Sequence, residues 1–275
     1  MLLVIFTGST SLVLEGSFLL EPINFVLVLV GLFLTGGSAN ALNQYLERDI
    51  DAKMTRTSKR RPLPQHEISP LGALIFSISI GVIGVLMFYY FFNLLTALLS
   101  LGTILFYSLF YTLYLKPNTS QNIVIGGIAG AMAPVGAWTA ATGTMDFVPW
   151  ILFLIVFLWT PPHFWALALF CKDDYKKANL PMLPLVKGDD HTYNQIILYS
   201  MVLFLISLSL LFFGGGWLYL AVTLYLGVQF VRRAFLIRKL RTESVQKKFF
   251  GYSLIYLFGL FTAILIDGVI PSSIF

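Results

Sequence analysis

Asn43, Glu47 and Asp51 stand four residues apart, between an apolar run and a basic stretch that contains Arg56, Lys59, Arg60 and Arg61. At 3.6 residues per turn, a step of four rotates a side chain by only about 40°, so one amide and two carboxylates share a helix face. Hard oxygen donors in this number suit Mg2+, which takes one or two carboxylates and fills its other positions with substrate phosphate oxygens and water. The guanidinium and ammonium groups that follow are of the kind that hold phosphates. A similar patch, Lys172-Asp173-Asp174, closes another apolar run much further along the chain. Two acidic patches on neighbouring helices could clamp one diphosphate between divalent ions.

Membrane helices have to position those patches. Of the 275 residues, 57% are hydrophobic and only 11% charged, and the mean hydropathy of +0.83 excludes an ordinary soluble domain. Runs of the roughly 17–25 apolar residues needed to cross a bilayer occupy 22–45, 70–91, 93–115, 121–142, 147–170, 194–212, 214–234 and 248–270. The stretch 1–14 reads as the remainder of a ninth span. It begins inside an apolar segment with no charged flank, so a few preceding residues are expected, and it lacks the basic region and cleavage site of a signal peptide. The expectation is an all-α, polytopic membrane protein with nine transmembrane helices forming a single domain over 1–275.

With the first helix running from inside to outside, the inner segments fall at about 46–69, 116–120, 171–193 and 235–247. The outer ones fall at 15–21, 92, 143–146, 213 and the C-terminus. All 18 Lys and Arg residues then lie on the inner side, as the positive-inside rule requires. The net charge of +5 is therefore a topogenic signal and an attraction to anionic lipid, not a nucleic-acid footprint. Both acidic patches face the same compartment, four spans apart, which is compatible with a parallel repeat relating helices 1–4 to 5–8. Carboxylates at such a helix end need solvation, pairing or a metal. A frayed end with acids and bases paired four residues apart is the plainer alternative, but it does not anticipate the second patch. A single cysteine, Cys171, excludes an internal disulfide and a Cys-x-x-Cys-His haem attachment.

The same residues carry a resemblance. Asn43-x3-Glu47-x3-Asp51, Met54-x-Arg56-Thr57 and Arg61-Pro62-Leu63-Pro64 resemble the first motif of the UbiA-type intramembrane prenyltransferases, most closely their protohaem IX farnesyltransferase (haem O synthase) branch. Similar to that branch are also Tyr111-Thr112-x2-Leu115-Lys116, Asn122-Ile123-Val124-Ile125-Gly126-Gly127, Pro161-Pro162-His163-Phe164-Trp165-Ala166-Leu167 and Pro181-Met182-Leu183-Pro184. The similarity runs in order along essentially the whole chain. It departs from the wider family at Gln44 and Glu47, where Asp is frequent, and in the second patch, where Asp-x3-Asp is reduced to Asp173-Asp174. The arginine loop is one residue longer, which leaves Arg60 and Arg61 as alternatives.

The resemblance implies a UbiA-like bundle in the cell inner membrane whose site opens to the cytoplasmic face. It implies an Mg-dependent enzyme that moves the farnesyl group of farnesyl diphosphate to a vinyl group of haem b, with addition of water, giving haem O and diphosphate. Mg2+ would sit on Asn43, Glu47, Asp51, Asp173 and Asp174, with Arg56, Arg60 or Arg61, Lys116 and Lys172 neutralising the departing diphosphate. Tyr111, Tyr114, Asn122, Phe164 and Trp165 are candidates for the isoprenoid or acceptor pocket, where aromatic faces stabilise an allylic cation. His163 is the candidate to ligate or orient haem or to act on a proton near the vinyl group; a bond from its ring to a backbone carbonyl is the structural alternative. His66 and His191 read as solvated. Farnesyl diphosphate, haem b and membrane lipid are the implied partners, with a haem A synthase as taker of the product.

Two other classes compete. A related prenyltransferase acting on a quinone precursor such as 4-hydroxybenzoate would share the diphosphate residues, and Pro161-Pro162-His163-Phe164-Trp165 favours haem over it. A secondary transporter would carry its polar groups near the midplane, typically in inverted repeats. A haem A synthase-like oxidase would need several intramembrane histidines, and the chain has three in all.

Overall fold

In hydrocarbon every backbone N–H and C=O has to be bonded within the protein, and a helix does this within one segment. The computed structural model, which describes residues 1–213 and 215–269, is accordingly helical, with no β-sheet among the described residues. The 14-residue α1 (Leu2–Glu15) comes first. Eight helices long and apolar enough to cross a bilayer follow: α2 (Pro22–Leu46), α3 (Pro70–Phe91), α4 (Leu94–Asn118), α5 (Asn122–Thr142), α6 (Phe147–Phe170), α7 (Gly188–Phe213), α8 (Trp217–Leu240) and α9 (Glu243–Val269). The chain is a multi-pass membrane protein. Every Lys and Arg lies at the end of the bundle where α2, α4, α6 and α8 finish.

At that end the helices outrun their apolar cores. α7 starts at Gly188, six residues before the expected 194, and takes Asp189, Asp190 and His191 into its first turn. α8 continues to Leu240 instead of 234, and α9 begins at Glu243 instead of 248. Hydropathy marks where hydrocarbon stops, whereas Lys, Arg and Glu are good helix formers that carry the helix on into water. The inner segment expected at 235–247 therefore shrinks to Arg241 and Thr242, with Arg241 in the left-handed conformation that ends α8. Residue 214, the expected start of the eighth span, and 270–275, which hold the expected end of the ninth and the outer C-terminal segment, lie outside the described residues.

Two helices depart from regular geometry. Over Phe106–Leu115, α4 widens to π geometry, and the Thr112 hydroxyl donates to the Tyr107 carbonyl five residues back at 2.8 Å. π turns are rare and are found mostly at functional sites. α5 is built from two pieces, Asn122–Ala131 and Ala133–Thr142; Pro134, which has no N–H to continue the ladder, sits in the first turn of the second piece.

α2 packs along α3, α6 along α7 and α8 along α9, while α1 lies against α5 and α9. Small residues let the paired helices approach. A Cβ on Gly84 of α3 would stand 3.0 Å from the Leu34 Cβ and 3.2 Å from the Thr35 backbone nitrogen, atoms that cannot swing aside. Gly37, in the same contact, would meet only the tip of Ile80 at 3.5 Å. Gly84→Ala should therefore destabilise the protein by about 1–3 kcal/mol, read as a lower unfolding midpoint in detergent, while Gly37→Ala leaves the midpoint nearly unchanged.

Candidate active site

The helical ladder runs straight through the first acidic motif. The Glu47 N–H donates to the Asn43 carbonyl at 2.9 Å and the Asp51 N–H to the Glu47 carbonyl at 2.8 Å, even though α2 ends at Leu46 and a short turn, Arg48–Asp51, takes over. The three side chains share one face and are 4%, 2% and 2% exposed. Buried carboxylates demand counter-charges, and two arrive from elsewhere in the chain. Lys116, at the end of the π segment of α4, bonds Glu47 Oε1 at 2.5 Å. Arg61 reaches Glu47 Oε2 at 3.5 Å and pairs closely with Asp51. Two buried acids and two half-buried bases thus form one electrically balanced cluster. Burial lifts the Asp51 carboxyl above the ordinary carboxylate range despite the opposing pull of Arg61.

Asn43 completes the group as a neutral oxygen donor. Its Nδ2 donates to Thr112 Oγ1 at 3.0 Å, and because the Thr112 hydroxyl is itself committed to the Tyr107 carbonyl, the amide is held with Oδ1 unbonded among the described residues. The π geometry of α4 brings Thr112 and Lys116 to this position together. Of the two arginine alternatives, Arg61 turns toward the carboxylates, while Arg60 is exposed. Arg56 is exposed as well, with its guanidinium beside the Tyr175 phenol.

The second patch meets the first through backbone. Asp174, in the short helix Lys172–Lys177, accepts from the Arg56 N–H at 3.0 Å. Burial alone would raise its carboxyl, but the bonds from Arg56 and Thr55 hold it below the usual range. Asp174 therefore anchors the arginine loop, Asp173 is exposed, and Lys172 pairs with Asp189 of α7 at 2.5 Å. Both motifs occupy the same end of the bundle. Among the described residues, no three His, Cys, Asp or Glu side chains converge on one point. Oxygen donors in one or two carboxylates and an amide still match an ion that takes most of its ligands from phosphate and water.

An apolar cavity of about 760 Å3, counting its open mouth, lies between α1, α2, α4 and α5, lined by Leu32, Thr35, Ala39, Asn40, Thr103, Ile104, Tyr107 and Gly130 among others. Tyr107 links cavity and cluster: it lines the cavity, stacks on Tyr111 at 5.1 Å, and its carbonyl holds Thr112. Tyr111 wedges against Gly126, where a Cβ would lie 2.4 Å from its ring. Sequence reasoning passed over Tyr107; its place one turn before Tyr111 was the available signal.

The other pocket candidates separate. Tyr114 is 61% exposed and stacks on exposed Phe110, on the outward stripe of α4 with Leu109 and Leu113. The wider π turn carries it away from Tyr111, so it does not join the cavity. Asn122 is fully buried and donates to the Lys116 carbonyl at 3.3 Å, steadying the end of α4. Trp165 is buried against Tyr199 of α7. His163 is not brought to the carboxylates; its ring lies between α6 and α9, bonded to the Ser253 hydroxyl, not to a backbone carbonyl. His66 and His191 are exposed.

A model of the UbiA prenyltransferase family matches residues 1–258. A protein of Alkalilimnicola ehrlichii described as protoheme IX farnesyltransferase is 45% identical over 272 residues, covering 98% of this chain and 89% of its own. One so described in Vibrio vulnificus is 45% identical over 243 residues, covering 88% of this chain and 81% of its own. A solved digeranylgeranylglyceryl phosphate synthase structure superposes with a TM-score of 0.80 at 18% identity, covering 97% of this chain and 93% of that one. A UbiA homolog from Archaeoglobus fulgidus bound to DMAPP and Mg2+ gives 0.62 at 16% identity, covering 95% of each chain. At such identities these two structures establish the fold alone.

The cluster makes a stability prediction that is independent of turnover. Lys116→Met strips Glu47 of its nearest counter-charge and should cost about 3 kcal/mol. Adding Glu47→Gln should recover a large part of that loss. Unfolding midpoints of the two single variants and the double variant give the coupling, and strictly additive losses would contradict the pairing.

Proposed function

The chain belongs to the UbiA prenyltransferase family, and on that footing we propose that it transfers the farnesyl group of farnesyl diphosphate to a vinyl group of haem b, with addition of water, giving haem O and diphosphate. The observation that supports the transfer chemistry is the buried cluster of Glu47, Asp51, Arg61 and Lys116 beside an apolar cavity. An ionic end and an apolar chamber match the two halves of a prenyl diphosphate. The acceptor is taken from the relatives named protoheme IX farnesyltransferase. The whole chain acts as one transmembrane unit. Its cationic end faces the cytoplasm by the positive-inside rule, in the cell inner membrane, and the product passes to a haem A synthase.

Asn43 Oδ1, Glu47 and Asp51 would hold Mg2+, with Asp173 and Asp174 on the opposite side. When bound, the ion withdraws charge from the diphosphate oxygens. Arg61 and Lys116, already beside the carboxylates, neutralise the charge that grows on the leaving group. Arg56, Arg60 and Lys172 provide a further cationic rim. The allylic carbon–oxygen bond breaks with its electron pair going to diphosphate, and the π electrons of the haem vinyl group form the new carbon–carbon bond. The cation left beside the porphyrin takes a water oxygen and releases a proton. Until the vinyl group attacks, the apolar cavity keeps water from the allylic cation, and the faces of Tyr107 and Tyr111 stabilise its charge.

Detergent-purified protein incubated with haem b, farnesyl diphosphate and Mg2+ should yield a haem whose mass has grown by a farnesyl group plus a hydroxyl. EDTA or Asp51→Ala should abolish that product. Unchanged haem together with prenylated 4-hydroxybenzoate would instead assign the quinone-precursor reaction. Acidification should also inhibit early. A raised Asp51 value means that the protonated form, which cannot hold the ion, persists to higher pH than for an ordinary carboxylate of about 3.9. Transfer should thus fall as pH drops through that raised value, before Asp174, held low by its backbone bonds, takes up a proton.

A further inference from the structure

Arg233 carries a charge that no acid of the protein answers. It stands seven residues before α8 ends at Leu240, which at about 1.5 Å per residue sets its Cα roughly 10 Å below the helix end. The carboxylates at this corner of the bundle are engaged elsewhere: Asp189 pairs with Lys172, Asp190 with Arg241 and Glu243 with Lys247. Among the described residues none pairs with Arg232, Arg233 or Lys248, and Arg233 Nε is buried with no acceptor. The side chain does not simply reach up into water, for it is part-buried where its neighbour Arg232 is exposed.

Arg233 is nevertheless held in place. Its guanidinium lies 4.3 Å from the centre of the Tyr252 ring on α9. Tyr252 is tied back to α8 by its hydroxyl, which donates to the Leu226 carbonyl at 3.3 Å, and Phe230 stacks near it at 6.4 Å and 23°. A guanidinium laid on a fixed aromatic face keeps its in-plane N–H groups available, and these form the fork that grips a phosphate. An unpaired charge at this depth is costly, so the position calls for an anion from outside the chain.

The seam between α8 and α9 orders its groups as a glycerophospholipid does. Lys248, exposed and one turn before Tyr252 on the same face of α9, is outermost. Arg233 comes next. Gln229, one turn deeper on α8, has no hydrogen-bond partner among the described residues and can donate to ester carbonyls, which lie just inside the phosphate of a lipid. Deeper still the seam is lined by Tyr225, Leu226 and Ile255, with Tyr225 and Ile255 exposed. We infer that this seam binds one anionic glycerophospholipid from the leaflet at the cationic end of the bundle. Its phosphate rests on Arg233 and Lys248, its ester carbonyls meet Gln229, and its chains run along Tyr225, Leu226 and Ile255. This is a single built site, distinct from the diffuse attraction that a net positive charge exerts on such lipids. By bridging α8 to α9, which packs in turn on α6 and α1, the lipid braces the bundle.

The test is native mass spectrometry and thermal unfolding of the detergent-purified full chain, stripped of lipid and then titrated with phosphatidylglycerol, phosphatidylcholine or inorganic phosphate. Phosphatidylglycerol should form a one-to-one complex and raise the unfolding midpoint. At the same concentration phosphatidylcholine, whose choline offsets the phosphate, and inorganic phosphate, which has no chains, should do neither. Arg233→Gln should weaken the complex about tenfold, the worth of one charge-assisted bond. Arg233→Lys keeps the charge but loses the flat stack on Tyr252, and its affinity should fall between the two. Lys239→Gln removes the same charge from another face of α8 and should leave the complex unchanged. Equal losses for Arg233→Gln and Lys239→Gln, or equal binding of phosphatidylcholine, would overturn the site. So would a midpoint raised as far by inorganic phosphate as by phosphatidylglycerol, which would assign a soluble anion to the arginine.

Discussion

Two carboxylates buried at a membrane boundary cannot stand alone, and the cluster of Glu47, Asp51, Arg61 and Lys116 is the condition the rest of the structure has to meet. An uncompensated charge in that position costs several kcal/mol, so each partner must arrive with good geometry from a different segment. The helical ladder that continues past α2 supplies the acids on one face, the following loop brings Arg61, and the far end of α4 brings Lys116. The widened turn of α4, the Asn122 bond to the Lys116 carbonyl and the Asp174 bond to the arginine loop serve this one convergence. Close packing of α2 on α3 at Gly84 sets the helix that carries the acids.

The balance of charge also suits the proposed chemistry. Before substrate binds, the cationic side chains satisfy the carboxylates. On the proposed function, a diphosphate entering with divalent ions would bring negative and positive charge together, so Arg61 and Lys116 would turn to phosphate oxygens while the carboxylates would hold the ions. Such an exchange of partners would leave the net charge of the site little changed, which would limit the electrostatic cost of binding. Above it, the apolar wall from Leu32 to Gly130 offers an isoprenoid chain the contacts that a bilayer would.

What the sequence disclosed follows from the range of the interactions. The shared face of Asn43, Glu47 and Asp51 is a local consequence of helical period, and the spans 22–45, 70–91 and 147–170 lie within a residue of α2, α3 and α6. Arg60 and Arg61 were indistinguishable, since one residue in a loop decides which side chain turns inward. The π segment was invisible because nothing in Phe106–Leu115 distinguishes a wide turn from a regular one. For that reason Tyr114 looked equivalent to Tyr111, and Tyr107 was lost among lipid-facing aromatics. The role of Asp174 and the bond of His163 to Ser253 depend on contacts across 118 and 90 residues, which no local pattern records.

The separations within the cluster carry a meaning for biogenesis. Arg61 is only ten residues from Asp51 and can neutralise it as soon as the loop after α2 has left the ribosome. Lys116 is 69 residues from Glu47, so the closer of that acid's two counter-charges arrives only with the fourth helix, Arg61 serving it at 3.5 Å until then. Asp174 comes last, from beyond the sixth. Insertion and assembly are thereby coupled: a nascent chain stalled part-way retains a hydrated, half-neutralised helix end, and the membrane can close over α2 only when the later helices have been delivered.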